Sequence, residues 1–448
     1  MLLKSIYAIT RSQVTGRSRL QPLSSLSTFA LPKLTISTMP PKGAKRKTAS
    51  PVGKTNGVGT KRVKHEINGD ELRQPHPFAE DAEKHGIVLR RFYPHEMSNF
   101  RAHAYNSNEI ARPMELLVAA LEETAGARKQ VKVQGAVVHW FKMDLRHSDN
   151  RSLALASAKA KEAGVPLICV YIVSPEDFEA HLTAPVRVDF MLRTLSILRD
   201  DLAALDIPLY VETVDKRKSI LHRILELMEE WESNHLFANI EYEVDELRRE
   251  AHMIRQFAEN NKSFEVVHDT CVVPPGELHS GSGKQYAVYT PWYRSWMAHI
   301  HENLDLLELY DRPEKNPSGA RQKFKKLFEC HIPDAPENKK LSDEEKKKFH
   351  ALWPCGEHEA ISRLENFCEE AIGNYHDKRN IPGDNGTSCL SVHLASGTIS
   401  SRTCVRTARD KNKTKRLDGG HQGIQVWISE IAWRDFYKHV LVNWPYVW

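Results

Sequence analysis

From Val137 to His268 short apolar runs alternate with helical patterns, and this alternation limits the fold more than any other feature of the chain. Val137–Phe141 (VVHWF) reads as a first strand. Leu167–Val173 (LICVYIV), Leu209–Val214, Leu236–Glu241 and Phe264–His268 follow as four more. Between them Arg151–Ala163, Phe190–Leu205, Ser219–Glu232 and Glu246–Asn260 carry apolar residues at helical spacing, such as Leu192, Leu195, Leu198 and Leu202. Asp149 is the expected N-cap of the first of these helices. Strands joined by helices imply a doubly wound parallel five-stranded sheet, buried on both faces. Ligands of such sheets sit beyond the C-terminal strand ends. No G-x-G-x-x-G follows the first strand, so an ordinary dinucleotide site is not expected there.

The regions around this α/β unit differ in kind. Thirteen of the 63 Lys and Arg lie before Glu66, with no Asp or Glu among them. The remaining 50 therefore face all 58 acidic residues, and the body carries a formal charge of −8. Residues 1–38 hold five basic and no acidic residues among Ser, Thr and Leu, the composition of a mitochondrial transit peptide. Met39 offers a second start, and Lys45-Arg46-Lys47 and Lys61-Arg62-Val63-Lys64 suit nuclear signals. Dual targeting to nucleus and mitochondrion is expected, with residues 1–66 a disordered arm. No apolar run approaches the ~18 residues of a membrane span. Seven scattered cysteines without C-x-x-C pairing read as reduced thiols, and no metal site is expected.

The domain division expected is a lead-in at 67–130, the α/β domain at 131–273, a connector with helices at 274–356 and a helical domain at 357–448. Residues 311–354, rich in Lys, Pro and Glu, read as a mostly exposed connection.

Three stretches of the helical part carry chemistry. Tyr375 to Ser391 contains Arg379, Gly386, Thr387, Ser388, Cys389 and Leu390. Gly386 permits close approach of backbone to a ligand. The hydroxyls sit where Leu390–Ala395 could start a helix, a natural phosphate cradle. Arg402, Arg406, Arg409, Lys411, Lys413, Lys415 and Arg416 form the densest basic run of the body and suit phosphodiester contacts. On the last helix, spacings of three and four put Trp427, Glu430, Arg434 and Tyr437 on one face, with Trp433 at its edge. Aromatics beside a carboxylate and a guanidinium suit a base extruded from a duplex.

Five ordered motifs, HWFKMDLRHSDN, ANIEYEVDE, YTPWYRSW, GTSCLSVHLASGTIS and WISEIAWRDFYKH, make the chain resemble the DNA photolyase/cryptochrome family, and within it the class I cyclobutane pyrimidine dimer photolyases of the fungal kind. The match runs from about Val137 to the last residue. The resemblance implies a carbon–carbon lyase, active as a monomer on UV-damaged DNA, that splits the dimer by electron transfer from photoexcited reduced FAD. It implies an antenna chromophore in the α/β domain, methenyltetrahydrofolate or a deazaflavin, contacted at Asp245 and Glu246. Tyr375, Thr387, Ser388, Cys389, Leu390, Ser391 and Trp427 would bind FAD. Arg379 would contact DNA phosphate. Glu430, Trp433, Arg434 and Tyr437 would face the flipped dimer, with Glu430 and Trp433 catalytic. Two departures stand out. The family pattern usually has Arg at the position of Cys389. The family's helical domain also continues for on the order of 100–200 further residues, so the FAD-binding domain is expected to be incomplete here. Two other readings remain open: a cryptochrome-type blue-light receptor, and a non-catalytic α/β nucleotide-binding scaffold.

Overall fold

The structure, a computed structural model, describes residues 98–381, 383, 386–412 and 414–447. The expected targeting arm, the lead-in before Ser98 and Trp448 lie outside the described residues.

Two helices come first, α1 (Asn99–Asn106) and α2 (Pro113–Gln130). Then come β1 (Ala136–Phe141), α3 (Arg151–Ala163), β2 (Leu167–Val173), α4 (Pro175–Ala180), α5 (Pro185–Ala204), β3 (Leu209–Thr213), α6 (Ile220–Glu230), β4 (Ser233–Asn239), α7 (Val244–Glu259) and β5 (Ser263–Val267). All strand pairs are parallel, in the order β3-β2-β1-β4-β5. The chain winds outward from β1 to β3 and then crosses back to β4. The order therefore reverses between β1 and β4, and a crevice opens at such a point.

The apolar runs are continuous because both faces are covered. In β1, Ala136, Val138 and Trp140 enter one core under α2, α6 and α7, while Val137 and Phe141 enter the other under α3 and α5. Neighbouring residues of a strand point to opposite faces, so a strand buried on both sides is mostly apolar, and a polar residue within it, such as His139, needs a partner: its Nδ1 lies 3.2 Å from Ser152 Oγ. α2 caps the first core through Leu117, Val118 and Leu121.

Element edges shift from those expected. α5 begins at Pro185, whose missing N–H costs nothing at a first helical position. β4 starts and ends earlier than Leu236–Glu241, because its ladder to β1 runs from Ser233 and β5 pairs with it as far as Asn239. The N-cap of α3 is Asn150 and not Asp149: the Asn150 side chain accepts from Leu153 N–H at 3.1 Å. Asp149 has a left-handed φ of 49° and a different task, described below.

The helical part holds α8 (Tyr289–Glu302), the short α9 (Ala320–Lys323) and α10 (Lys325–Phe328), α11 (Asp343–Leu352), α12 (Glu357–Glu370), α13 (Tyr375–Lys378), α14 (Ser391–Ser396), α15 (Ser401–Lys411) and α16 (Gln422–Asn443). Its core gathers Trp292, Trp296, Phe367, Trp427, Ile428 and Phe436 around α16. The stretch 311–354 is largely exposed yet tied down. Buried Asn316 accepts from Leu167 N–H at 2.7 Å and donates to Leu167 O at 2.8 Å, pinning the start of β2. Trp444 and Tyr446, which follow α16, are half-buried. Tyr446 stacks on Tyr105 at 6.4 Å and its hydroxyl donates to Asn106 at 2.9 Å.

Candidate functional site

The crevice at the strand tips is a real cavity of about 400 Å³. Its walls come from the ends of β1 (Trp140, Phe141, Lys142), β2 (Tyr171, Ile172) and β4 (Glu241, Tyr242, Glu243), from α4, α5 and α7, and from Ala395, Arg434 and Lys438 of the helical part. It therefore lies at the seam between the two parts. The rim is charged and mutually neutralised. Arg249 pairs with Glu246, and with Asp177 at 3.2 Å. Arg217 pairs with Asp245, and with Asp177 at 2.7 Å. Lys438 bonds Glu243 at 2.6 Å. Burial opposes the charge on Asp245, yet the bonds from His181 and Arg217 hold its carboxyl well below the usual range. Deeper in, Lys142 pairs with Glu250 and lies 3.7 Å from Glu241. One ammonium cannot balance two buried carboxylates, and burial pushes Glu241 up to about 7. Of the two expected contacts, Glu246 lines the cavity and Asp245 belongs to its rim network.

The second arrangement is on α16. Trp433 is half-buried and lies flat on Tyr289 of α8, with ring centroids 3.5 Å apart and planes 9° apart. Tyr289 is fixed in turn: its hydroxyl donates to Ser429 O at 2.9 Å, and its ring also stacks with Tyr293 at 5.3 Å. Glu430 and Tyr437 emerge beside this stack, 38% and 62% exposed. Arg379, which follows α13, pairs with Glu430. Trp427 turns inward and packs on Phe367 at 5.4 Å, with Tyr375 edge-on to the same ring.

The third is the loop before α14. Thr387 and Ser391 are exposed, Ser388 and Cys389 half-buried, and Leu390 anchors the loop in the core. Cys389 has a φ of 50°, which few L side chains adopt, and its Sγ lies 3.6 Å from Thr387 Oγ1. Gly386 does make a close approach, but to protein: a Cβ there would lie 2.5 Å from Lys378 Cβ.

A family model described as DNA photolyase matches residues 137–313. A deoxyribodipyrimidine photo-lyase of Neurospora crassa is 62% identical over 407 residues, covering 90% of this chain and 65% of that protein. The mitochondrial deoxyribodipyrimidine photo-lyase of Saccharomyces cerevisiae is 30% identical over 387 residues, covering 82% and 67%. The chain belongs to the DNA photolyase family. Among solved structures it resembles a bacterial class III photolyase from Agrobacterium tumefaciens, with a TM-score of 0.56 at 23% identity over 69% of this chain and 60% of that one. A Synechocystis cryptochrome gives a TM-score of 0.55 at 18% identity over 69% and 61%. Both likenesses concern the fold, an α/β sheet domain followed by a helical one. The chain spans 60–67% of the lengths of these four relatives.

Against this family background the structure moves several residues from the roles expected of them. Arg402 is no phosphate ligand. It is 5% exposed, donates to Asp149 Oδ1 at 2.9 Å and pairs with Asp269 at 2.7 Å. Asp149 also accepts from Thr403 Oγ1 at 2.9 Å, Tyr310 N–H at 3.0 Å and Ser400 Oγ. The photolyase motif HWFKMDLRHSDN thus welds the sheet domain to the helical domain through Asp149 and Arg146, the latter also paired with Asp269. Arg409 and Arg416 are engaged by Asp410 and Asp418. Arg434 leaves the open face of α16. It donates to Thr270 O at 2.7 Å, Ser401 Oγ at 3.1 Å and Leu394 O at 3.2 Å, and lines the cavity. Sequence reasoning missed Tyr289. Its motif YTPWYRSW marked the start of a helix, but nothing local says which Trp its ring would meet.

Proposed function

We propose that this chain carries the substrate-facing part of a light-driven DNA repair lyase, which splits cyclobutane pyrimidine dimers in UV-damaged DNA. The observation that carries the reading is the half-exposed Trp433 ring backed by Tyr289, with the Glu430 carboxylate one helical turn away. A flat ring held rigid from behind by Tyr289 and flanked by exposed Tyr437 at 5.6 Å presents aromatic surface to a base turned out of its stack, and stacking on it needs no sequence readout. Glu430, an acceptor, would take a hydrogen bond from a pyrimidine ring N–H of the extruded dimer and so fix its orientation. Arg379 would take the adjacent phosphate once released from Glu430.

The loop before α14 fits the phosphate part of FAD. The Ser388 and Ser391 hydroxyls carry no hydrogen bond among the described residues, and both reach solvent. Thr387 offers a third hydroxyl, while Leu390, Tyr375 and Trp427 form the apolar floor beneath. Bound reduced FAD would supply the light-driven electron. The protein's part is to hold donors at the phosphates and to keep Trp433 and Glu430 in register with the dimer. The cavity at the strand tips would hold the antenna, a folate or deazaflavin, with Glu246 in its wall. The chain would act as a monomer, with domain limits near 131–273, 274–356 and 357–448. The yeast relative's name includes "mitochondrial", and residues 1–38 here would direct the same destination, with the basic clusters after Met39 serving the nucleus. Among the described residues no helix is long and apolar enough to cross a membrane.

The test is a photoreactivation assay. The purified chain is supplied with reduced FAD and a dimer-containing oligonucleotide, and dimers are counted before and after blue illumination. Light-dependent loss of dimers that is abolished by Trp433→Ala supports the reading. Flavin retention without any dimer loss would favour a light receptor instead.

A further inference from the structure

The carboxylates in the cavity wall each meet a basic partner: Glu246 meets Arg249, Glu243 meets Lys438, Asp177 meets Arg217 and Arg249, and Glu241 lies near Lys142. Two guanidinium groups break this balance. Arg187, in the first turn of α5, and Arg434, on α16, both line the cavity. They converge on consecutive carbonyls of one helix turn. Arg187 Nη2 bonds Ala395 O at 3.4 Å, and Arg434 Nη2 bonds Leu394 O at 3.2 Å. The other partners of Arg434 are neutral as well, Thr270 O and Ser401 Oγ. Asp435, next in the chain, is turned away onto Val272 N–H and the Trp296 indole. Among the described residues neither arginine has a carboxylate ion-pair partner, although acidic groups are plentiful along the rest of the wall.

Two like charges brought to one end of a concave site repel each other, and neutral carbonyls relieve this only in part. An anion placed between them would gain from both, and the guanidinium fork matches a carboxylate or a phosphate in two bonds. The rest of the wall is of a different character: Trp140, Phe141, Tyr171, Phe178 and Met191 offer flat apolar surface. We propose that the cavity binds a planar heteroaromatic molecule by its anionic tail, held between Arg187 of the sheet domain and Arg434 of the helical domain. This rests on the reading of the cavity as the antenna site, and adds that the ligand bridges the domain seam through its tail while its ring lies against the strand tips.

Paired ligands that differ only in the tail test the inference. The purified full chain is titrated with folic acid and with its dimethyl ester, and separately with flavin mononucleotide and riboflavin, following ligand fluorescence. The charged member of at least one pair should bind about ten-fold or more tightly than its neutral partner. Arg187→Gln should erase that difference while leaving the neutral member's affinity unchanged. Arg187 is the residue to change because it is exposed and makes a single long bond, so the fold does not depend on it. Discrimination in the folate pair alone assigns a carboxylate tail, and in the flavin pair alone a phosphate. Equal affinity within both pairs, or an equal loss for charged and neutral members in Arg187→Gln, overturns the tail site and leaves the antenna reading standing. Failure of all four ligands to bind removes both.

Discussion

Arg379 and Glu430, expected to approach a DNA phosphate and a pyrimidine edge, are bonded to each other. Each is 38% exposed, so water competes for both ends of the bond. A pair this open contributes on the order of 0–1 kcal/mol. Damaged DNA would therefore have to separate the two groups at small cost, with each then free for its own partner.

A double-mutant cycle should show this. Arg379→Ala and Glu430→Gln should each move the denaturation midpoint only slightly, with a stability coupling of about 1 kcal/mol or less. Affinity for a dimer-containing oligonucleotide should fall in both. A stability coupling of several kcal/mol with unchanged DNA affinity would make the pair structural and remove it from the interface.

The Trp433–Tyr289 stack gives a second expectation. Tyr289→Phe keeps the ring under Trp433 and loses only the bond to Ser429, so it should cost about 1 kcal/mol of stability and leave damaged-DNA affinity near its original value. Tyr289→Ala leaves Trp433 unbacked. Because Tyr289 is half-buried, this should cost less than the ~3–5 kcal/mol of a core aromatic, about 2–3 kcal/mol, and weaken dimer binding well beyond the Phe variant. Equal dimer affinity in the Phe and Ala variants would show that the stack plays no part in recognition.

At the domain seam, Asp149→Ala would leave Asp269 as the one carboxylate facing buried Arg402 and would remove the acceptor shared by the hydroxyls of Ser400 and Thr403. Breaking a buried ion network from one side costs about 3–5 kcal/mol, to be read from chemical denaturation. Arg402→Met tests the seam from the other side. It should destabilise the protein yet leave unchanged the slope of log affinity for DNA against log salt, because buried Arg402 is already held by Asp149 and Asp269 and offers no phosphate a contact. A shallower slope by about one would return Arg402 to the interface.

The sheet could be read in the sequence because its evidence is local: LICVYIV is short, rich in β-branched residues and flanked by helical patterns, and the spacing of Leu195, Leu198 and Leu202 marks the buried side of α5. The candidate site was legible in part. Glu430, Trp433 and Tyr437 do share a surface, as helical spacing suggests, but the same spacing also put Trp427 there, which is buried against Phe367. Arg402 and Arg434 could not be placed in the same way. A basic residue in a polar run looks solvated until the chain returns with Asp149, Asp269 or Thr270, and those partners lie more than 130 positions away. Tyr289 under Trp433 is likewise a contact between elements 140 positions apart. The Asp149 N-cap expectation erred by one residue, since Asp and Asn are both good caps and only the left-handed turn at Asp149 separates them.

The last expectation concerns pH. Asp435 is fully buried on α16, where its Oδ2 accepts from Val272 N–H at 2.8 Å and from the Trp296 indole at 3.2 Å, while Oδ1 has no partner. Burial lifts its carboxyl from the ordinary 3.8 up to about 6, against the pull of Arg434 and these bonds. A folded-state value above the unfolded one means that the folded protein holds the proton longer. The associated stability is present in full below about pH 4 and is lost as pH rises through 6. The gap corresponds to about 3 kcal/mol at most. His439, which burial lowers to about 4, acts in the opposite sense as pH falls, so the wild-type curve alone would mix the two. The difference between the wild type and Asp435→Asn removes that mixing, since the amide oxygen can still accept from Val272 and Trp296 but cannot ionise. Denaturation at pH 4, 5, 6 and 7 should show the wild type losing stability relative to the variant across this range. A constant difference between the two at all four values would mean that Asp435 carries an ordinary, ionised carboxylate in the folded protein.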